Sequence, residues 1–113
     1  MTYEPFSLII VPFPFTDKPH VKRRPALVLS NTHHQKETDH ITLLMVTSDK
    51  HSDWKSDYQI TDIQTTGLTS PSIIRQKLFT IDNRLVIGRI GHLSNHDTKE
   101  VKNILTTHLS LKH

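Results

Sequence analysis

The sequence predicts a β-rich α+β fold, in which a small antiparallel, barrel-like sheet is closed by one C-terminal helix. Most apolar residues occur in short β-branched and aromatic runs, and the connections between these runs are mostly too short for crossover helices. Helical periodicity is clearest near the C-terminus. Because 113 residues is the size of one domain, we expect residues 1–113 to form a single domain.

Short apolar runs bounded by polar, Gly-containing or Pro-containing segments predict the strands. The first run, Leu8–Phe15, is expected to end near Phe13, because Pro12 and Pro14 have no backbone donor for a sheet. The remaining strands are predicted at Ala26–Ser30, Ile41–Thr47, Asp57–Thr61, Ser72–Ile81 and Leu85–Ile90.

Two further segments complete the predicted organisation. The polar segment 31–40 (NTHHQKETDH) is predicted to be a turn, and its three histidines match no familiar metal-site spacing. Ser94 with Asp97 is typical of a helix start, and Val101 and Leu105 continue the helical spacing. We therefore expect one helix, at the end of the chain.

Composition limits the possible classes of function. The sequence has no cysteine, so disulfides, thiolate metal sites and thiol nucleophiles are excluded. It contains no 18-residue apolar run, and we expect a cytoplasmic protein without a membrane partner. The formal net charge of +3 and the pI near 9.3 favour a polyanionic partner.

Five segments of the sequence form a recognisable set, which is IIVPFPFTD at 9–17, KRRPALVLSN at 22–31, VTS at 46–48, LFTID at 78–82 and IGHLS at 90–94. In this order they resemble the MazF/PemK-type toxins of bacterial toxin–antitoxin systems. The resemblance implies a small SH3-like barrel of five to seven strands and a homodimer. It also implies cleavage of single-stranded RNA without a metal or other cofactor, giving 2′,3′-cyclic phosphate and 5′-hydroxyl ends. A cognate antitoxin, whose disordered tail covers the RNA groove, is the implied protein partner.

The resemblance places the family's catalytic arginine and threonine at Arg24 and Thr47. A guanidinium stays charged and binds two phosphate oxygens, which suits the transition state of attack by a 2′-hydroxyl. Pro25 restricts Arg24 to extended backbone and so helps to fix its side chain. Thr47 and the neighbouring Ser48 are expected to position a phosphate oxygen.

Other candidate residues lie in the basic loop and around the fourth and fifth predicted strands. His20 is the titrating candidate closest to Arg24 in sequence, and Lys22 and Arg23 are expected to contact RNA. Trp54 lies in a polar stretch and is either a lid over the core or a platform on which a base stacks.

The segment IIRQKLFTID departs from the family pattern. The family commonly has an acidic residue four positions before its Thr-Ile-Asp motif, where this sequence has Gln76, and a one-residue gap in the alignment places Lys77 there instead. Alternation along a strand predicts that Arg75 and Lys77 form a cationic pair that binds phosphate, with Arg75 also a catalytic candidate and Gln76 and Lys77 RNA contacts. The missing carboxylate leaves three hypotheses open, which are a nuclease, a binding module without catalysis, and a structural oligomer.

Overall fold

Six strands form one antiparallel sheet that curls into a half-barrel, as the predicted fold class requires. The computed structural model describes residues 1–14 and 22–111. The strands are β1 (Ser7–Phe13), β2 (Lys22–Val28), β3 (His40–Ser48), β4 (Tyr58–Gln59), β5 (Ser72–Asp82) and β6 (Gly88–His92). Their order across the sheet is β4-β5-β3-β2-β1-β6. Two helices are present in the described ranges, α1 (Thr32–Thr38) and α2 (Asn95–His108).

Each face of the curled sheet has its own apolar core. Consecutive residues of a strand point to opposite faces, so Leu8 and Leu27 belong to one core while Ile9 and Val28 belong to the other. The first core is covered by α2 through Val101. Because both faces are buried there, β1, β3 and residues 26–28 of β2 are nearly continuous apolar runs, which is why these segments were predictable, whereas the first three residues of β2 are exposed cations.

The segment predicted as a polar turn contains a helix, so that prediction is wrong. Asn31 caps α1 by accepting a hydrogen bond from the backbone N–H of His34 at 2.7 Å. Gln35 is fully buried, and its side-chain amide donates to the carbonyls of Tyr3 and Ser30 at 2.8 and 2.9 Å. A buried amide with satisfied hydrogen bonds, rather than an apolar stripe, holds this helix against the sheet.

The C-terminal helix begins where the sequence predicts. The Ser94 hydroxyl accepts a hydrogen bond from the backbone N–H of Asp97 at 3.1 Å, which caps α2. Val101 is fully buried in the core beneath the helix. None of the helices in the described residues is long and apolar enough to cross a membrane.

Three predicted strands have different bounds in the structure. The strand predicted at Ala26–Ser30 runs over Lys22–Val28, because Lys22 and Arg23, expected in the basic loop, pair with β1 instead. The segment Asn83–Leu85 is a 3-10 turn, and the last strand therefore runs over Gly88–His92 rather than Leu85–Ile90. The Asp82 carboxylate accepts a hydrogen bond from the backbone N–H of Arg84 at 2.8 Å, which stabilises that turn. The predicted strand Asp57–Thr61 is reduced to Tyr58–Gln59 at the sheet edge.

Candidate active site

A groove opens where β2 and β3 separate. The two strands pair only at Ala26–Met45, Leu27–Leu44 and Val28–Leu43. The next residue of β2 is Pro25, which has no backbone N–H to continue the ladder. Beyond this point β2 pairs only with β1, and β3 pairs only with β5.

Arg24 and Thr47 face each other across this separation. Extending the register by two residues past Ala26 and Met45 would pair Arg24 with Thr47. Both residues, together with Pro25 and Val46, line two adjoining cavities of about 210 and 350 Å³. We call the two cavities together the groove. Pro25 therefore both restricts the backbone of Arg24 and opens the space into which its side chain extends.

The two cavities differ in chemical character. The smaller one is mainly apolar, and its wall includes Val11, Phe13, Met45, Leu78 and Phe79. The larger one is rich in hydroxyl groups, which come from Thr47, Ser48, Thr69, Ser70 and Ser72. Arg24 lines both, so a ligand anion held by its guanidinium has an apolar surface on one side and a hydroxyl-lined surface on the other.

The described part of the groove carries positive charge. Arg24 and Lys77 are exposed and line it, and neither forms an ion pair with a residue in the described ranges. No carboxylate is present among the described lining residues. Two fixed cations with adjacent hydroxyl groups suit the binding of a phosphodiester.

A bulge in β5 determines which of its residues reach the groove. Leu44 pairs with Leu78, whereas the next residue, Met45, pairs with Arg75, so Gln76 and Lys77 have no partner on β3. Lys77 lies in this bulge and extends into the apolar cavity.

Gln76 lies away from the groove, which corrects the expectation that it contacts RNA. Its residue is 4% exposed, and its Oε1 is 3.0 Å from Nδ1 of His108 on α2. Its Nε2 has no hydrogen-bond partner among the described residues. On the ungapped alignment, the position where the family commonly has an acid is thus enclosed beneath α2 in this chain, whereas the gapped alignment places it at Lys77.

Arg75 is held in an ion-pair cluster, so the predicted cationic pair with Lys77 does not form. Its guanidinium donates to both carboxylate oxygens of Asp57, at 3.1 and 2.9 Å, and to Asp53 at 2.9 Å. Its side chain is 13% exposed and that of Asp57 is 1% exposed. With two carboxylates bound to it, Arg75 carries little net charge for a phosphate, and the structure places it outside the groove lining.

Trp54 is a partly exposed ring next to this cluster, not a lid over the core. The Arg75 guanidinium carbon lies 4.9 Å from the ring centroid, and 44% of the residue is exposed. Burial alone raises the pKa of Asp57, but the Arg75 guanidinium and the Trp54 backbone N–H outweigh it and hold that pKa below 3.8. The carboxylate therefore stays charged and keeps the ring and the guanidinium in place.

Of the three candidate residues predicted in the basic loop, the structure describes Lys22 and Arg23. His20 lies outside the described residues. Lys22 and Arg23 are exposed on β2, opposite Phe13 and Pro12 of β1, beside the groove but not in the lining of either cavity. Ser48, which was predicted beside Thr47, does line the hydroxyl-rich cavity.

Sequence reasoning missed a wall of the groove that lies in the same cavity as Thr47 and Ser48. Thr69 and Ser70 form part of it and follow Gly67, whose φ is +78°. A Cβ on Gly67 would lie 2.2 Å from the carbonyl oxygen of Ile90, so only glycine allows this approach to β6. Gly67 and Pro71 indicate a loop here, but neither indicates that the loop reaches the groove.

Asp97 fixes the segment that leads into this wall. Its carboxylate accepts hydrogen bonds from the Tyr58 hydroxyl at 2.5 Å, the Thr61 hydroxyl at 2.7 Å, and the backbone N–H groups of Thr61 and Asp62 at 3.2 and 3.0 Å. Burial raises the pKa of Asp97, but these hydrogen bonds outweigh it and the net pKa is below 3.8. Burial and the neighbouring carboxylate raise the pKa of Tyr58.

Comparison with known proteins agrees with this architecture. The model of the PemK-like, MazF-like toxin family of type II toxin–antitoxin systems matches residues 4–109. The chain belongs to this family. RNA cleavage is the activity known for PemK/MazF-like toxins. No curated protein matches the chain significantly.

Solved structures show the same fold at low sequence identity. A MazE–MazF structure from Deinococcus radiodurans has a TM-score of 0.76 and 21% identity, and the match covers 97% of this chain and 98% of that one. An endoribonuclease with its cognate antitoxin from a mycobacterial species has a TM-score of 0.76 and 12% identity, with 99% and 97% covered. The Mycobacterium tuberculosis toxin MazF-mt6 has a TM-score of 0.75 and 17% identity, with 95% and 99% covered.

Proposed function

We propose that this chain is the toxin of a type II toxin–antitoxin pair and cleaves single-stranded RNA in the groove between β2 and β3. The observation that carries the proposal is Arg24 facing Thr47 where Pro25 ends the pairing of the two strands. The 2′-hydroxyl of one nucleotide gives its proton to a base and attacks the adjoining phosphorus, and the bond from phosphorus to the 5′-oxygen breaks. The 5′-oxygen takes a proton from solvent, which leaves a 2′,3′-cyclic phosphate and a 5′-hydroxyl. Family membership supports this chemistry and its independence from a metal.

Each groove residue has a part in this reaction. Arg24 binds the non-bridging phosphate oxygens, whose negative charge increases in the pentacoordinate transition state. Thr47, with Ser48 beside it, donates a hydroxyl hydrogen bond that positions the same phosphate. Lys77 adds a second cation from the β5 bulge. Lys22, Arg23 and Trp54 lie outside the two cavities and contact flanking nucleotides.

Proton transfer from the 2′-hydroxyl needs a base, and the described lining contains neither a carboxylate nor a histidine. We assign general-base catalysis to His20, because an imidazole exchanges a proton near neutrality and this residue lies four positions before Arg24 in the sequence. The rate should then rise with pH to a plateau above about 6.5 in the parent protein. In His20→Ala the plateau should be lost. A plateau that survives in His20→Ala would remove His20 from this role.

The decisive experiment is cleavage of a mixed-sequence single-stranded RNA in EDTA. Arg24→Ala should reduce the rate about 100- to 1,000-fold, the usual cost of removing a transition-state donor. Arg84→Ala is the matched control, because Arg84 pairs with Asp82 at the surface and lines neither cavity. Mass spectrometry of the ends should find cyclic phosphates in the parent and the control. Equal cleavage by Arg24→Ala would contradict the proposed role of Arg24.

A binding module without catalysis is the second candidate. The observation that favours it is the lack of a carboxylate or histidine among the described lining residues. The identity of residue 76 does not favour it, because Gln76 is enclosed beneath α2. Salt-sensitive RNA binding by folded protein, without product in single turnover, would establish this candidate over the nuclease.

We also propose a cognate antitoxin and a second copy of this chain as partners. Two of the similar solved structures are MazE–MazF and an endoribonuclease with its cognate antitoxin. An antitoxin tail lying in the groove would compete with RNA for Arg24. Competition between antitoxin peptide and RNA, and a dimer mass in analytical ultracentrifugation, would test the two partners separately.

A further inference from the structure

The groove wall formed by Thr69 and Ser70 has hydroxyl groups that the fold itself does not use. In the same segment the hydroxyls of Thr65, Thr66 and Ser72 donate to backbone carbonyls at 2.8, 2.6 and 3.0 Å. The hydroxyls of Thr69 and Ser70 have no such partner in the described residues, and both residues are exposed in the larger cavity. Their donors and acceptors are therefore available to a ligand.

The segment that leads into this wall is anchored to the rest of the fold at two points. Gly67 packs its backbone directly on that of Ile90, where a Cβ would lie 2.2 Å from the carbonyl oxygen. The start of the same segment is tied to α2 by four hydrogen bonds to the Asp97 carboxylate. A pre-ordered wall loses little conformational entropy on binding, so hydrogen bonds made there contribute efficiently to affinity.

The chemistry of the wall matches a ribose. Thr69 and Ser70 line the same cavity of about 350 Å³ as Thr47 and Ser48, and Arg24 is part of the same lining. A 2′-hydroxyl is both donor and acceptor, as are all four of these side chains. The cavity on the other side is mainly apolar and suits a base. A phosphate bound by Arg24 would thus place an adjoining sugar on the hydroxyl-lined side.

We propose that Thr69 and Ser70 bind the 2′-hydroxyl of a ribose next to the cleaved bond, other than the ribose whose 2′-hydroxyl attacks. They are substrate-positioning residues that favour RNA over DNA. This inference rests on the proposed nuclease function. It adds a recognition contact in the cavity that Thr47 also lines, supplied by the loop before β5.

A thermodynamic cycle between protein and substrate tests the contact. Thr69→Val and Ser70→Ala are each measured on all-ribose RNA and on RNAs with a single 2′-deoxy substitution at successive positions beside the cleaved bond. On all-ribose RNA each variant should lower kcat/KM about 2- to 12-fold, mainly through KM, as one neutral hydrogen bond implies. At one position of the RNA, the 2′-deoxy substitution should lower kcat/KM of the parent protein by the same factor. The same substitution should cause no further loss in the variant protein.

Thr106→Val is the control, because its hydroxyl bonds a backbone carbonyl within α2 and it does not line the groove. The proposal would be overturned if the loss caused by the protein substitution and the loss caused by the 2′-deoxy substitution multiplied at every position. The side chains would then act only through the structure of the loop. Unchanged kcat/KM in both variants would overturn it as well.

The same cycle separates this inference from the proposed function. If the parent binds RNA without cleaving it, dissociation constants replace kcat/KM and the coupling still decides the role of Thr69 and Ser70. If the parent neither binds nor cleaves RNA, both proposals fail. Variants that weaken the binding of an antitoxin peptide and leave cleavage and binding of RNA unchanged would assign the wall to a protein ligand and overturn the ribose contact.

Discussion

Asp97→Asn should strongly destabilise the protein, although it replaces one side chain with another of nearly the same size. The carboxylate is fully buried and accepts four hydrogen bonds, one of them from the backbone N–H of Asp62 to Oδ2 at 3.0 Å. An asparagine that keeps its oxygen towards Tyr58 and Thr61 directs its NH₂ group at that N–H. Two donors then face each other in the interior.

The size of the effect follows from these contacts. Loss of one hydrogen bond to a charged group costs about 1.5 to 3 kcal/mol, and an unsatisfied buried donor costs about 1 to 3 kcal/mol more. We therefore expect the free energy of unfolding to fall by about 3 to 5 kcal/mol. With a urea m-value of about 1 to 3 kcal/mol/M, the midpoint should fall by roughly 2 M. Tyr58→Phe removes one of the bonds and should cost about 1.5 to 3 kcal/mol.

Urea unfolding at several pH values provides the assay. The folded-state pKa of Asp97 is below its unfolded value of 3.8, so its stabilisation is fully present above that pH. It is lost as the pH falls through the folded pKa. The difference between the parent and Asp97→Asn should therefore be largest near neutrality and shrink below about pH 3.8.

Asp62→Asn is the matched control, because the Asp62 side chain forms no capping hydrogen bond and only its backbone N–H enters the network. It should change stability by less than about 0.5 kcal/mol. The reasoning would be refuted if Asp97→Asn were as stable as this control at pH 7. A difference that stays constant down to pH 2.5 would refute the assigned charge.

Three further predictions concern the groove and its walls. Lys77→Ala should weaken RNA binding and reduce the magnitude of the slope of log K against log salt by about 0.7, because one phosphate contact is lost. Filter binding in a KCl series measures this slope, and an unchanged slope would place Lys77 away from phosphate. Gly67→Ala should lower stability by about 1 to 3 kcal/mol through its contact with Ile90, while Gly88→Ala, where a Cβ meets nothing within 4 Å, should be neutral; equal melting temperatures would contradict the packing. Trp54 is the only tryptophan, so stacking of a base on its exposed ring should quench protein fluorescence during titration with a 2′-deoxy oligonucleotide, and constant emission at saturation would argue against that contact.

Local sequence patterns were sufficient to predict the sheet and the last helix. The runs that became β1, β2 and β3 are apolar on both faces, and Ser94 marks the start of α2 by a short-range hydrogen bond. The helix α1 was missed because its one buried residue, Gln35, is polar and bonds Tyr3, 32 residues away. Apolar periodicity, which was used to predict helices, does not indicate a hydrogen bond between a polar side chain and a distant backbone group.

The candidate site was only partly predictable, because its geometry depends on register. The sequence identified Arg24, Thr47 and the restriction imposed by Pro25. It did not reveal that the same proline ends the pairing of β2 with β3 and so opens the groove. The β5 bulge is equally invisible in sequence, since simple alternation treats Arg75 and Lys77 as equivalent.

That bulge also changes what the missing carboxylate means. From sequence, Gln76 is a substitution at an active-site position and argues against catalysis. In the structure its amide is buried beside His108, while Lys77 from the same bulge lines the groove. A carboxylate at position 76 would sit beneath α2 unless the bulge moved, where it could not reach a proton on RNA bound at Arg24. On the alignment that places the acid at Gln76, its loss is therefore weak evidence against cleavage. On the alignment with a one-residue gap, Lys77 occupies that position inside the groove, and on either alignment activity turns on the base supplied there.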